Sequence, residues 1–174
     1  MNRMLGALLQ FAPLSLFAIY AFWYGEPTPE RWVHAFELGA VAALVQLAIV
    51  LPQPRPANRL ILGANVYLVI AGAAAFAQQW WVLRIYDVLR EAGILLAILG
   101  VGVVTTLVTK AGFVAAPDAP ADEVRDASLW MLAATVLALA TAVAFRGDRT
   151  LAAALPILGL TILQRTLVSR ARRA

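Results

Sequence analysis

Apolar runs of nearly twenty residues recur along the chain, separated by short polar breaks. Six can be drawn: Met4–Tyr24, Trp32–Leu51, Leu60–Gln79, Gly93–Lys110, Ala127–Phe145 and Thr150–Val168. Each approaches the ~20 residues that a helix needs to cross ~30 Å of hydrocarbon. The breaks "GEPTPER", "PQPRPAN" and "APDAPADEVRD" are rich in proline and polar side chains, which end helices. The pattern predicts an all-α polytopic membrane protein, a bundle of about six transmembrane helices forming one domain over residues 1–174. The first run is expected to be a span rather than a cleaved leader, because it is long, aromatic towards its end and not followed by an A-x-A site. The sixth is the weakest, since Gln164 and Arg165 cut into its end.

Between the third and fourth runs lies "QQWWVLRIYDVLREAG", with Arg84, Asp87, Arg90 and Glu91 set among Val82, Leu83, Ile85, Tyr86, Val88 and Leu89. The spacing predicts a helix with a narrow polar stripe, on which Arg84, Asp87 and Arg90 follow one another at intervals of three and can pair. Placing four charges in hydrocarbon would cost several kcal/mol in total even on the mildest insertion scale. Lying in the interface costs almost nothing, and Trp80 and Trp81 belong in an interfacial aromatic belt. The expected element is a short amphipathic helix on the outer membrane surface, with its charged face to water. A charged site within the membrane is the less economical alternative.

Composition narrows the chemistry. Of 174 residues, 62% are hydrophobic and 14% charged, where soluble domains have about a quarter charged. The chain has no Cys and a single His, His34, so disulfides, thiolate sites and a His-rich metal centre are excluded, and no cofactor is expected. The net charge of +4 comes largely from the tail "QRTLVSRARRA", which reads as a cytoplasmic juxtamembrane anchor rather than a nucleic-acid surface. With both termini inside, Arg3, Arg55, Arg59, Lys110, Arg125, Arg165, Arg170, Arg172 and Arg173 face the cytoplasm. Arg31, Arg84, Arg90, Arg146 and Arg149 face out. This bias and the even number of spans favour cytoplasmic N- and C-termini.

Few polar residues remain inside the runs. Gln10, Gln46, Asn65, Thr105, Thr106, Thr161 and Gln164 fall in one layer on the cytoplasmic side, at about 1.5 Å of rise per residue. Such a layer is either a vestibule for a small molecule or interhelical glue. The second is favoured, because ion-coupled pumps generally need an ionisable group and only Arg165 lies near. Gln46 and Asn65 lie at matching depths on either side of the connector "PQPRPAN", so they are expected to meet. His34 and Glu37 share a helix face at the outer start of the second span. They form a candidate titratable pair, although an interfacial His and an acid welcome near a helix N-terminus explain them as well. Pro13 and Pro156 should kink or locally open their spans, while Gly93, Gly100, Gly102 and "AGAAA" at 71–75 offer close packing. No nucleophile elbow, H-E-x-x-H or phosphate-cradling loop occurs, and the two halves do not repeat. No catalytic residue is expected.

The aromatic first helix "LLQFAPLSLFAIYAF", the short basic second connector and the closing "GLTILQRTLVSRAR" give a layout similar to the intracellular septation protein A family of bacterial inner-membrane proteins. The likeness in layout covers most of the chain; the likeness in letters covers span one and part of span six. It implies a non-enzymatic role in cell-envelope upkeep or division, exercised through protein partners in the bacterial inner membrane. Two readings stand at this point. One is an envelope or complex-forming subunit whose partners are the bilayer, other membrane proteins or a second copy of itself. The other is a small transporter or channel using the polar layer.

Overall fold

The computed structural model describes residues 11–23, 25, 28–54 and 56–173, and over these the chain is helical without a strand. The helices are α1 (Ala12–Phe22), α2 (Pro29–Val50), α3 (Arg59–Phe76), α4 (Trp80–Leu89), α5 (Ala92–Val108), α6 (Ala121–Ala144) and α7 (Leu155–Ala171), the last preceded by a π-helical segment, Thr150–Ala154. Among the described residues four stretches are long and apolar enough to cross a membrane: α2, α3, α6 and the continuous Thr150–Ala171. The number is five if α4 and α5 form one broken span. α1 is apolar but only 11 residues long as described; residues 4–10 and 24 of the first predicted span lie outside the described residues.

Local chemistry accounts for the boundaries. α2 opens where Thr28 accepts from the Arg31 N–H at 3.3 Å, with Pro29 at the first helical position. α3 opens on Asn58, whose side chain accepts from the Leu60 N–H at 2.9 Å. α6 begins at Ala121, ahead of the predicted Ala127, because Asp122 and Glu123 suit the positive end of a helix and extend it before the apolar run starts. Pro156 acts as expected on its span but by a specific route. It lacks an N–H for the carbonyl four residues back, and the turn ahead of it widens, with the Leu155 N–H bonding to Thr150 O. Pro13 sits in the first turn of α1 as described.

Two findings depart from the sequence reading. The charged stripe does not run on through Arg90: that residue takes φ 48° and ends α4 after Leu89. The connector after α5 is not polar throughout either. Phe113, Val114 and Ala116 are fully buried, and Gly112, at φ 59°, turns the chain where a Cβ would strike the Ser128 hydroxyl.

The contacts divide the chain into two compact units, residues 1–53 with 64–88 and residues 54–63 with 89–174. In the first, α1 packs on α2, and Gly72 of α3 lies so close to α2 that a Cβ there would meet Ala40 and the Phe36 carbonyl. In the second, α5 packs on α6 and α6 on α7, while an added Cβ at Gly63 would stand 2.5 Å from the Ile98 Cα. These close approaches matter because transfer from lipid to protein interior gains little hydrophobic energy, so that contact between backbones supplies the attraction. Large apolar side chains remain outside: Val41, Leu44, Val45 and Ile49 on α2, and Leu107 and Val108 on α5 at 78% and 77% exposure. A water-soluble helix would turn such stripes inward. A hydrocarbon solvent makes them ordinary.

Candidate functional site

The polar side chains inside the apolar helices are the natural place to look for chemistry. In the first unit, Asn65 is 3% exposed and its Nδ2 donates to Gln46 Oε1 at 2.6 Å. Asn65 stands six residues after the start of α3 and Gln46 four residues before the end of α2, so the short connector returns the chain with the two amides at one level. The expected meeting takes place as a direct hydrogen bond between helices.

In the second unit the threonines behave differently. Thr105 is buried and donates to Val101 O at 2.8 Å and Gly102 O at 3.2 Å. Thr106 donates to Gly102 O at 2.7 Å and Thr161 to Ile157 O at 2.8 Å. Each hydroxyl thus bonds back to its own helix, a local solution that links nothing. Gln164 is 5% exposed and makes no hydrogen bond among the described residues. Gln10 lies outside the described residues. Of the predicted layer, the structure therefore joins Gln46 to Asn65 and satisfies three threonines locally.

His34 and Glu37 are not bonded to each other. His34 is exposed and Glu37 half-buried, since three residues along a helix leave about 60° between side chains. Arg84 and Asp87 are both exposed on α4, and no ion pair joins them. Fully hydrated charges gain little from pairing. Glu91, beyond the break at Arg90, is half-buried and its Oε2 accepts from the Gly147 N–H at 3.4 Å. The four charges therefore do not form one continuous face.

The structure adds residues that the sequence reading passed over. Ser128 is fully buried and accepts from the Phe113 N–H at 3.0 Å, pinning the buried turn to α6. Thr135, also fully buried, bonds back to Met131 O at 2.8 Å. In the first unit Tyr86 of α4 donates to Tyr67 O of α3 at 3.0 Å. Its ring lies 4.7 Å from that of Tyr67 and meets Phe36 edge-on at 5.6 Å. Phe36 in turn stacks at 4.9 Å on Phe17, which reaches Trp32 at 5.3 Å. Ser128 and Thr135 were legible as hydroxyls inside an apolar run; Tyr86 looked like one more member of an amphipathic pattern.

Chemically, these groups hold helices and a turn in place. Among the described residues no three His, Cys, Asp or Glu side chains gather where they could hold a metal ion. The polar groups that reach from one element to another among the described residues include an amide pair, a phenol on a carbonyl and a serine accepting from a backbone N–H. Comparison with protein-family models, curated proteins and solved structures finds no match to this chain.

Proposed function

We propose that this chain is a non-enzymatic integral protein of the bacterial inner membrane that works as a complex-forming or envelope-associated subunit, in the manner of septation-associated membrane proteins. The observation that carries the reading is the commitment of the polar groups within the spans. Asn65 and Gln46 bond to each other, and Thr105, Thr106, Thr135 and Thr161 bond to their own helices. Groups already satisfied, by a neighbouring helix or by their own, are not poised to bind a passing substrate.

In this reading six helices cross the bilayer, with α1 completed by the residues before it and α5 crossing alone, and both termini are cytoplasmic. α4 lies in the outer interface. Its half-buried side carries Val82, Leu83, Tyr86 and Leu89, and its exposed side divides between apolar Trp81, Ile85 and Val88 and charged Arg84 and Asp87. That division suits a helix half sunk among headgroups. One observation favours a second reading, a small transporter or channel: Gln164 makes no hydrogen bond among the described residues, and its amide atoms keep access to the surface, so they are open to a ligand.

Two experiments test the proposal. Because the chain has no cysteine, single introduced cysteines report sidedness. Gln53→Cys and Asp118→Cys should be labelled only after the membrane is opened, and Glu30→Cys from outside intact cells. Labelling of Asp118→Cys from outside would refute the topology. Purification in a gentle detergent should give a species larger than the 18.7 kDa chain with stoichiometric partners. A lone monomer that moves a solute across proteoliposomes would establish the transport reading instead.

A further inference from the structure

The end of α7 has a feature that cohesion does not explain. Arg165, Arg170, Arg172 and Arg173 are all exposed, and none forms a side-chain hydrogen bond or ion pair among the described residues. No Asp or Glu follows Asp148 in the sequence. The opposite side of the helix, Leu160, Gln164 and Ala171, is buried, so four guanidinia share the free face. Favourable interaction with a helix C-terminus extends only about one turn and does not reach Arg165, six residues before the last helical residue.

The arrangement along the axis is specific. At about 100° per residue, Arg165, Ser169 and Arg172 fall on one stripe, with the exposed Ser169 hydroxyl between two guanidinia. Arg165 and Arg172 are about 10 Å apart along the helix, comparable with the depth of a headgroup layer, which is about 5–8 Å on each side of the hydrocarbon. The same stripe continues in the other direction as exposed Leu158 and Ile162. Apolar contacts thus end three residues before the first guanidinium. A free phosphate or a nucleic acid would use the charges and leave the apolar portion without purpose. One amphiphile matches both.

We infer that the exposed stripe of α7 is a binding site for an anionic phospholipid, with the phosphate held by Arg165, Ser169 and Arg172 and the acyl chains along Leu158 and Ile162. The inference rests on the reading that α7 crosses the bilayer. Arg supplies planar, multiple donors to phosphate oxygens, and each basic residue beside an anionic surface strengthens association about fivefold.

The test uses the full chain in detergent with equal amounts of phosphatidylglycerol and phosphatidylcholine, and native mass spectrometry reads the retained lipid. The wild type should retain phosphatidylglycerol preferentially. Arg165→Gln with Arg172→Gln should lower that preference about 25-fold, at about fivefold per charge. Lys110→Gln with Arg125→Gln removes the same charge from exposed positions off α7, away from the proposed contact, and should lower the preference far less. Equal retention of the two lipids by the wild type, an unchanged preference in the α7 variant, or an equal loss in the control variant would each overturn the site. Displacement of phosphatidylglycerol by millimolar inorganic phosphate would show an anion site and refute a lipid site. Flotation with pure phosphatidylcholine vesicles separates the two levels. A chain that floats but shows no preference refutes the lipid site alone, whereas one that fails to float refutes the spanning reading as well.

Discussion

The hydrogen bond between Asn65 and Gln46 is the sharpest place to perturb the structure. Replacing Asn65 by Leu removes the donor and leaves Gln46 Oε1, half-buried, without that partner. Replacing Gln46 by Leu leaves the Asn65 amide, 3% exposed, with nowhere to donate. The second change should be the worse, at about 1–3 kcal/mol for a stranded buried polar group. The first should fall near 1 kcal/mol, since a half-buried oxygen retains some access to other donors. The double variant strands neither amide. Its destabilisation should therefore be smaller than the sum of the two by about 0.6–1.7 kcal/mol, from the average to the maximum coupling of hydrogen bonds between membrane helices. Leu keeps the side chains close in volume, so packing losses stay secondary. The assay is a double-mutant cycle on reversible unfolding in mixed micelles, because thermal scans of membrane proteins are commonly irreversible. Additivity to within about 0.3 kcal/mol would refute the reasoning, since two groups at 2.6 Å that do not couple are not bonded in solution.

Other positions give further expectations. Gly63→Ala should destabilise by about 1–3 kcal/mol, because its Cβ would meet the Ile98 backbone at 2.5 Å. Gly100→Ala, where nothing lies within 4 Å, should be neutral or stabilising by up to about 1 kcal/mol; the same unfolding assay checks both. Tyr86→Phe should cost about 1 kcal/mol and speed hydrogen exchange in 80–89 selectively, since α4 loses its bond to Tyr67 O. Ser128→Ala should cost about 1–3 kcal/mol and expose 111–116 to proteolysis, because the buried Phe113 N–H loses its acceptor. Gln164→Leu should change stability by less than about 1 kcal/mol, since the amide has no hydrogen bond among the described residues to lose and its polar atoms keep access to the surface.

What the sequence disclosed and what it hid follow from the range of the forces involved. Apolar runs are a local signal, so α2, α3, α6 and Thr150–Ala171 lie close to where periodicity and length place them. Gln46 and Asn65 were legible for a similar reason: a short connector and equal distances from it determine depth by counting alone. The start of α6 was misplaced because acids were read as connector, when at a helix N-terminus they belong to the helix. The turn at 111–116 was invisible. Its burial depends on Ser128, fifteen residues beyond Phe113, and no local pattern announces that pairing. Arg90 shows the same limit at a single residue. Spacing alone continued its stripe, while the backbone reversed at φ 48°.

The polar side chains inside the spans divide by what each can do for itself, and this division bears on function. A threonine hydroxyl on a helix reaches the carbonyl one turn back, so Thr105, Thr106, Thr135 and Thr161 need no partner from outside. An amide carries two donors and an acceptor and is not satisfied that way. Amides in hydrocarbon are thus the positions where a membrane helix makes a demand on its surroundings. Asn65 has its demand met by Gln46; Gln164 has no hydrogen bond among the described residues. If Gln164 is merely tolerated, Gln164→Leu yields an equally stable protein that supports cells as the wild type does. If it is held for a ligand, the same substitution yields an equally stable protein that fails in cells. Since stability is kept in both cases, loss of activity cannot be charged to misfolding. That one residue therefore separates a cohesive subunit from a transporter more cleanly than any substitution in the bonded pair, where stability and activity would fall together.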